Sequence, residues 1–394
     1  MPEDKIKVLF VCDRPDFRCH KMAKGLLATG ECEPYLLATG YDQALHAPSF
    51  NKAASFGAAF NSSFFIYRML DLSSNGRVDI PAKPFLKLWL GKIMRAMEPY
   101  DVLHAMTPPV TLSKLAIECS SAPAVFDQYD LILESYGKEH QWPREIEDER
   151  WCFEHAQGFV HKGPKAELDF YRGRGYHLAG PELSYPDGCE DSMFQPVGGK
   201  KLRDEDGEWH VAYAGGIHGP GRECWLLPEF EALAKQKIHV HIYPAPYSQA
   251  HEQLGAYSAP GVGGGRVHMH GTLPYPQLVK ELAKYDMGIY YFDLDPVKFP
   301  SLSKKLKTAA GNKIPTYYEA GLPVIVGERL EYSASMVSED GAGLVVGTEE
   351  LPVLAERLKA ADIVGLRAAV ERARERLSVK TQAKALLDFY RKLS

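Results

Sequence analysis

Two glycine-containing segments in the C-terminal half carry residues that could bind a phosphate. In the loop 215–222 (GGIHGPGR), glycines let the backbone approach a phosphate closely, and the arginine at its end can pair with it. Segment 311–326 (GNKIPTYYEAGLPVIV) predicts a helix from Asn312 to Gly321, followed by a buried strand. The start of such a helix favours an anion, through its N–H groups and its dipole. The predicted anion-binding residues are Gly215, Gly216, His218, Arg222, Lys305, Asn312 and Lys313.

Two observations leave alternatives to this phosphate site. A glycine- and proline-rich turn needs no ligand, and a helix followed by a strand is common in any α/β protein. Lys305 lies in a group with Lys304 and Lys307 just before the helix. These lysines could reach a phosphate or simply be solvated.

A second set of polar side chains follows predicted strands in the N-terminal half. Asp13, His104 and Asp127 lie at or just beyond strand ends, and His20 lies at the start of the first predicted helix. Open α/β sheets bind their ligands at the carboxyl ends of their strands. These four residues are therefore the candidates for catalysis, with a positioned Asp or His able to take a proton from a reacting hydroxyl.

The elements that must position both sets alternate between strand and helix. Short apolar runs predict strands, and amphipathic stretches between and after them predict helices. The predicted strands are 7–12, 35–38, 101–105, 124–127, 209–214, 238–243, 266–271 and 287–291, and the predicted helices include 19–28, 84–97, 276–284, 349–360 and 366–392. This alternation predicts an α/β fold with doubly wound parallel sheets. No G-x-G-x-x-G follows the first strand, so a dehydrogenase-type dinucleotide site is not predicted.

Length and composition limit the class of protein. A chain of 394 residues is too long for one ordinary core and predicts two domains. A net charge of -5 argues against a nucleic-acid partner, because there is no basic surplus to replace phosphate counterions. The seven cysteines are scattered without C-x-x-C spacing and predict reduced thiols of a cytoplasmic protein. Neither a signal peptide nor a membrane-spanning run is predicted.

Three segments resemble nucleotide-sugar glycosyltransferases. The Asn-Lys, aromatic helix and Ala-Gly-Leu-Pro-Val-Ile of 312–325 are similar to the signature of the C-terminal domain in glycosyltransferase family 4, also called glycosyl transferases group 1. YDVLHA at 100–105 looks like a strand end of that family. YPDGCE at 185–190, followed by Phe194 and Pro196, looks like its interdomain segment.

The resemblance implies the GT-B architecture, in which two Rossmann-like doubly wound domains face each other across a cleft. The implied domains are an acceptor-binding domain at 1–195, a donor-binding domain at 196–372 and a closing helix at 373–394 that crosses back to the first domain. The implied activity is transfer of a sugar from a nucleotide-diphosphate sugar to a hydroxyl of a glycan, lipid-linked or protein acceptor, as in bacterial polysaccharide biosynthesis. A nucleotide-sugar 2-epimerase and a non-catalytic nucleotide-sugar-binding partner subunit remain the alternatives.

The chain departs from the family where the family grips the ribose. Family members place a glutamate five residues before the helix-ending glycine, and many have another eight residues earlier. Here those positions are Thr316 and Thr308. Glu319 shares a helix face with Thr316, so it could replace the missing carboxylate or face solvent. We therefore add Thr316 and Glu319 to the predicted donor-binding residues.

The catalytic assignment also stays open. His104 matches the first histidine of the family's strand end, but the second is Met106 here, and His104 could equally be a hydrogen-bonded core residue. An inverting enzyme would need a base, for which Asp13, His20 and Asp127 are the candidates. The resemblance favours retention, in which leaving-group oxygens can receive the proton.

No metal or other cofactor is predicted. His239/His241 and His268/His270 project in pairs from strands, but no carboxylate or cysteine was recognised at ligand spacing. Asp293 and Asp295 have the letters of a metal clamp, but they lie in a loop of the second domain. The family fold typically works without a metal, and metal-independent transfer is expected.

Segment 56–97 combines aromatic and basic residues. It predicts either peripheral contact with the inner face of the membrane or, at 84–97, a helix packed on the sheet with a solvated basic face.

Overall fold

The structure is a computed structural model that describes residues 5–13, 15, 17–38, 49–55, 82–107, 109–129, 143–220, 225–245, 252–292, 295, 297–298, 300, 303, 307–308 and 311–393. The chain forms two compact units. The first contains Met1–Gly188 and Val379–Ser394, and the second contains Cys189–Ser378. The domain limits inferred from the sequence, after residues 195 and 372, stay predictions beside this division.

The first unit is built on a seven-stranded parallel sheet. Its strands are β1 (Ile6–Cys12), β2 (Cys32–Ala38), β3 (Lys52–Ser55), β4 (Val102–Met106), β5 (Ala124–Gln128), β6 (Gly158–His161) and β7 (Glu182–Ser184). They lie in the order β3-β2-β1-β4-β5-β6-β7. The order reverses between β1 and β4, which pair in parallel and create a switch point at their carboxyl ends.

The helices of the first unit cover both faces of this sheet. They are α1 (Phe17–Thr29), α2 (Ala82–Met97), α3 (Val110–Cys119), α4 (Pro143–His155), α5 (Lys165–Gly173) and the C-terminal helix α13 (Val379–Arg391). Side chains of β1 alternate between two buried clusters, with Leu9 and Val11 in one and Val8 and Phe10 in the other. Because both faces are buried, the strand is a continuous apolar run.

Helix α13 packs against α1 in the first unit. A Cβ at Gly25 would lie 2.5 Å from the Val379 carbonyl oxygen, so glycine allows this close approach. The sequence predicts one helix over 366–392, and this is wrong. Helix α12 (Ile363–Arg376) ends before Ser378, whose hydroxyl donates to Asp191 at 2.8 Å, and α13 starts anew at Val379.

Helix α2 has the amphipathic pattern predicted for 84–97. Leu86, Leu90 and Met94 are buried at i, i+4 and i+8, whereas Lys87 and Lys92 are exposed. This agrees with a helix packed on the sheet with a solvated basic face, and membrane contact stays a prediction. The rest of the aromatic stretch, 56–81, lies outside the described residues.

The second unit repeats the same strand order with six parallel strands. They are β8 (Trp209–Gly215), β9 (Ile238–Pro244), β10 (Val267–Met269), β11 (Met287–Tyr290), β12 (Val324–Gly327) and β13 (Gly343–Val346), ordered β10-β9-β8-β11-β12-β13. Its helices are α6 (Arg203–Asp206), α7 (Leu227–Ala234), α8 (Tyr275–Leu282), α9 (Lys313–Glu319), α10 (Glu331–Asp340), α11 (Leu354–Ala360) and α12. The switch point here lies between β8 and β11.

Candidate functional site

Helix α9 is attached to the two central strands of the second sheet by one tyrosine. The Tyr317 hydroxyl accepts a hydrogen bond from the Ala214 amide at 3.0 Å and donates one to the Ile289 carbonyl at 2.9 Å. Its ring covers Gly288, where a Cβ would lie 2.3 Å from a ring carbon. Glycine at 288 therefore makes room for the tyrosine that holds α9 at the switch point.

Lys313, the first residue of α9, extends over the carboxyl end of β8. Its Nζ lies 4.8 Å from the ring centre of Tyr290, 5.0 Å from that of Phe292 and 5.6 Å from that of Tyr213. A Cβ at Gly215 would lie 2.4 Å from the lysine Cε. Cation–π attraction to three rings holds the ammonium without neutralising its charge. The side chain is therefore suited to bind an anion at this edge.

The loop after β8 is anchored through its carbonyl groups. The Tyr213 hydroxyl donates to the Gly216 carbonyl at 2.6 Å, and the Tyr257 hydroxyl donates to the His218 carbonyl at 3.2 Å. Gly215 has φ +151, in the region that favours glycine. The structure therefore brings Gly215, Gly216, His218 and Lys313 to one edge of one sheet.

Comparison with known proteins identifies the fold. Residues 246–388 match the family model of the glucosyltransferase 3-like C-terminal domain. HepE from Anabaena, solved in complex with UDP, is 14% identical and has a TM-score of 0.68, over 98% of this chain and 100% of HepE. Sucrose-phosphate synthase from Thermosynechococcus elongatus is 15% identical, with a TM-score of 0.63 over 99% of both chains. No curated protein matches the sequence.

The chain has the GT-B fold, and its residues 246–388 match a glucosyltransferase domain family. A glycosyltransferase from Rickettsia africae is similar in the same way, with 11% identity and a TM-score of 0.64 over 99% of this chain and 98% of that one. The predicted α/β fold and the predicted resemblance to GT-B glycosyltransferases are confirmed. The family match falls in the second unit, which carries Lys313 and its aromatic rings.

Glu319 does not face solvent, which was one of the two alternatives that the sequence left open. Its carboxylate is fully buried, where Oε1 accepts from the Glu190 amide at 2.6 Å and Oε2 accepts from the Tyr275 hydroxyl, and its role in binding the ribose stays a prediction. The Tyr275 hydroxyl also lies 3.3 Å from Thr316 Oγ1, so Thr316 and Glu319 do share a face. Because every residue of α9 from Ile314 on is buried, a side chain at 319 cannot face solvent.

Two predicted donor-binding residues, Arg222 and Lys305, lie outside the described residues, and so does Lys304. Asn312 is the N-cap residue of α9 and is half-buried. The helix starts and ends where the sequence indicates, and Gly321 adopts φ +72 just after it. Donor binding by each of these residues stays a prediction.

The carboxyl edge of the first sheet places Asp13 and His20 near its switch point. Asp13 directly follows β1 and is half-buried. His20 lies on α1, is also half-buried, and makes an edge contact with Phe50 at 5.5 Å between ring centres. Both are partly open to solvent, as a group that meets a substrate must be, and their catalytic role stays a prediction.

Asp127 and His104 lie in a buried ionic network instead. Arg18 makes a two-pronged contact with Asp127, at 3.0 and 3.1 Å, and His104 Nε2 lies 3.1 Å from Asp127 Oδ2. The other ring nitrogen of His104 lies 2.7 Å from the Tyr390 hydroxyl on α13. All four side chains are at most 2% exposed. This burial argues against proton transfer to a substrate by Asp127 or His104.

The charge state of Asp127 follows from its partners. Burial by itself would raise the pKa of the carboxyl, but the Arg18 charge and the His104 hydrogen bond outweigh it and lower the pKa to about 2. The carboxylate is thus held ionised as a partner of Arg18. Arg18 also donates to the Tyr185 carbonyl at 2.7 Å, which ties α1 to the segment after β7.

Sequence reasoning missed the side chains that surround the predicted ones. Tyr213, Tyr290 and Phe292 come from three places in the chain, and nothing in their spacing indicates that they would enclose Lys313. Arg18 was not among the predicted residues, because its partner Asp127 lies 109 positions further along the chain.

None of the helices in the described part of the chain combines the length and apolar character that a membrane span requires.

Proposed function

We propose that this protein is a glycosyltransferase that takes a hexose, with glucose favoured, from a UDP-hexose whose diphosphate binds at the carboxyl edge of the second sheet. The observation that carries the proposal is Lys313, placed over Gly215 among three aromatic rings at the switch point. HepE, which shares the fold, is described in complexes with UDP-glucose and with UDP. The family description of residues 246–388 supports glucose.

Lys313 would neutralise negative charge on the diphosphate as the sugar is transferred. Cleavage of the bond between the anomeric carbon and the diphosphate places additional negative charge on the diphosphate oxygens. An ammonium already in position lowers the energy of that state, more strongly near low-dielectric rings than in water. Residues 215–219 of the loop after β8 would offer backbone N–H groups to the same diphosphate.

We further propose that the transfer retains configuration and needs no metal at the donor. In the retaining reaction a diphosphate oxygen takes the proton of the acceptor hydroxyl on the face from which it leaves. The pairing of Asp127 with Arg18 supports retention, because it leaves only two of the three candidate bases for an inverting reaction. If the hexose released from UDP-glucose in slow hydrolysis first appears as the β anomer by NMR, the reaction inverts and Asp13 or His20 becomes the base to test.

The acceptor is proposed to be a glycan, a lipid-linked saccharide or a protein hydroxyl bound by the first unit, in the cytoplasm and for the synthesis of a polysaccharide. The exposed Lys87 and Lys92 of α2 support contact with an anionic membrane surface. Sedimentation with vesicles containing phosphatidylglycerol, compared with neutral vesicles, tests that contact.

The donor proposal is tested by binding, before any acceptor is known. Thermal-shift measurements with UDP, GDP, ADP, TDP and CMP should show stabilisation by UDP. We expect Lys313→Ala to weaken UDP binding by roughly 10- to 100-fold, since a charge-assisted contact contributes about 1.5–3 kcal/mol. Lys235→Ala, which removes an exposed lysine of the same unit, is the matched control and should bind as the wild type does.

Three outcomes would contradict the proposal. Equal UDP affinity in the Lys313→Ala variant and the control would remove the diphosphate from this edge. A flat response to every nucleotide would remove the donor site altogether. Conversion of the sugar nucleotide to an epimer without acceptor would replace the transferase by a 2-epimerase.

A further inference from the structure

Five histidines form a row across three neighbouring strands of the second sheet. His210 on β8 stacks on His239 of β9 with ring centres 4.5 Å apart, and His241 stacks on His268 of β10 at 4.4 Å. His270, just after β10, continues the row at 5.3 Å from His241. The parallel register places His210 beside His239 and His241 beside His268, which explains why all five rings lie on one face.

Hydrogen bonds link these rings into two chains. His210 Nδ1 lies 2.9 Å from His241 Nε2, and His241 Nδ1 lies 3.0 Å from His270 Nε2. His239 Nδ1 lies 2.8 Å from His268 Nε2. The Nε2 atoms of His210 and His239 are the ends of these chains, and both turn toward carboxylates.

The carboxylates come from the segment just before β8. Asp206 Oδ2 lies 3.0 Å from His210 Nε2 and 3.9 Å from His239 Nε2. Glu208 Oε2 lies 3.0 Å from His239 Nε2 and is also held by Arg266 at 2.7 Å. The ligand atoms of Asp206, His210 and His239 all lie within 4.8 Å of one another.

We infer that Asp206, His210 and His239 form a zinc-binding site at the amino edge of the second sheet. Two imidazoles and a carboxylate are ligands that Zn²⁺ takes at about 2.0–2.2 Å, usually in a tetrahedron. Tetrahedral bonds of that length separate the ligand atoms by roughly 3.3 Å, between the 3.0 and 3.9 Å found here. The rings of His210 and His239 are almost parallel, so His239, the more exposed of the two, tilts to aim its lone pair at the ion.

The histidine row supplies what a zinc-bound imidazole needs behind it. A ligating histidine donates its other N–H to a fixed acceptor, which sets its tautomer and orientation. With zinc on Nε2, His210 keeps its proton on Nδ1 and donates to His241, which donates in turn to His270. His239 donates to His268 in the same way. Each imidazole keeps one proton. When zinc binds Nε2 of His210 and His239, the proton of each ring along the two chains is on Nδ1 instead of Nε2.

The charges around the site suit a divalent cation. The Glu208 carboxylate lies 3.0 Å from His239 Nε2 and is held in place by Arg266 at 2.7 Å. Asp206 and Glu208 place two carboxylates at the site, and Arg266 pairs with that of Glu208. Glu208 or a water molecule takes the fourth coordination position of the zinc ion.

The place of the site in the fold separates it from sugar transfer. His210 and His239 are the second residues of β8 and β9, at the amino ends of the strands, whereas Lys313 lies at their carboxyl ends. Zinc here joins α6 to two strands and stabilises the second unit. Metal-independent donor binding is compatible with it.

The test measures zinc on the full chain after treatment with a chelator. Isothermal titration with ZnCl₂ should show one site per chain, and zinc should raise the melting temperature in a saturable way. We expect Asp206→Asn and His239→Gln to lose this binding. His177→Gln, which changes an exposed histidine of the first unit, should retain it.

A second readout separates loss of the site from loss of the fold. Each variant should still be stabilised by the nucleoside diphosphate that stabilises the wild type, or show a wild-type circular dichroism spectrum if none does. Co²⁺ in place of zinc should give the absorption of a tetrahedral centre in the wild type and in His177→Gln only. The inference is overturned if the wild type binds no zinc, or if Asp206→Asn and His239→Gln bind it as tightly as the wild type.

Discussion

The central strands of the two units follow the same order, but the kinds of polar side chain that lie among them differ. In the first, the central strands enclose a charged network in which Arg18 faces Asp127 and Asp187. In the second, the central strands carry hydrogen-bonded imidazoles toward their amino ends and a lysine lies among aromatic rings at their carboxyl ends. The topology decides where a site can lie, but the side chains decide what it binds.

This difference distinguishes charged residues that stabilise the fold from charged residues that could bind a ligand. A buried ion pair contributes little compared with apolar packing, but removing one partner leaves the other uncompensated. Asp127 is such a partner. Lys313 Nζ instead lies beside aromatic rings at the carboxyl edge of the second sheet, where we propose that it binds the donor. The predictions below separate these two kinds of charge.

The largest effect is expected from Asp127→Ala. Loss of this carboxylate leaves Arg18 buried without its main counter-charge, which should cost about 3–5 kcal/mol of the stability of the first unit. Urea unfolding followed by hydrogen exchange of peptides from each unit measures it. Glu31→Gln, which breaks an exposed pair with Arg391, is the control and should cost about 0–1 kcal/mol. A stable but inactive Asp127→Ala variant would instead restore Asp127 as a catalytic base.

A smaller loss is expected when acid protonates Asp127. The folded pKa, about 2, lies below the ordinary value of 3.8, so the pair stabilises the folded state fully above the ordinary pKa and loses this contribution as the pH falls through about 2. Urea titrations at a series of pH values between about 5 and 2 should show this decline in the first unit. If the stability of the first unit stayed unchanged down to about pH 2, the ion pair between Arg18 and Asp127 would be contradicted.

The smallest effect concerns Glu319. Glu319→Ala removes the acceptor of the Glu190 amide and should cost about 1–3 kcal/mol in the second unit. Glu319→Gln keeps an acceptor for that amide and should cost less. If Glu319→Gln kept the stability but lost UDP affinity in a titration, the carboxylate would bind the ribose after all.

Much of the fold could be predicted because the signals are local. Continuous apolar runs predicted the central strands of both sheets, and the Asn312 to Gly321 pattern predicted helix α9 with its positive-φ glycine. The break at Ser378 was missed because the amphipathic pattern continues through it, and the contacts that mark it are made with Cys189 and Asp191, far away in the sequence. The resemblance to glycosyltransferases depended on the same local segments.

The candidate sites were predicted less completely because they depend on distant contacts. Lys313 and Gly215 could be named as phosphate ligands, but not the three rings that position the lysine. Asp206 was not among the predicted residues, although it lies four residues before His210, whose neighbour His239 lies on the next strand. Only the parallel register of β8 and β9 brings His239 to the same carboxylate.

The amino-acid sequence by itself determined the alternation of strands and helices, the residues at the carboxyl ends of the strands and the motifs that resemble those of glycosyltransferases. These follow from periodicity and from short motifs, which are properties of neighbouring residues. Only the tertiary structure decided which of the charged residues are exposed and which are paired. Asp127 contacts Arg18, and Glu319 contacts Tyr275, although the members of each pair are far apart in the sequence. These partners are needed because burying an unpaired charge is strongly unfavourable.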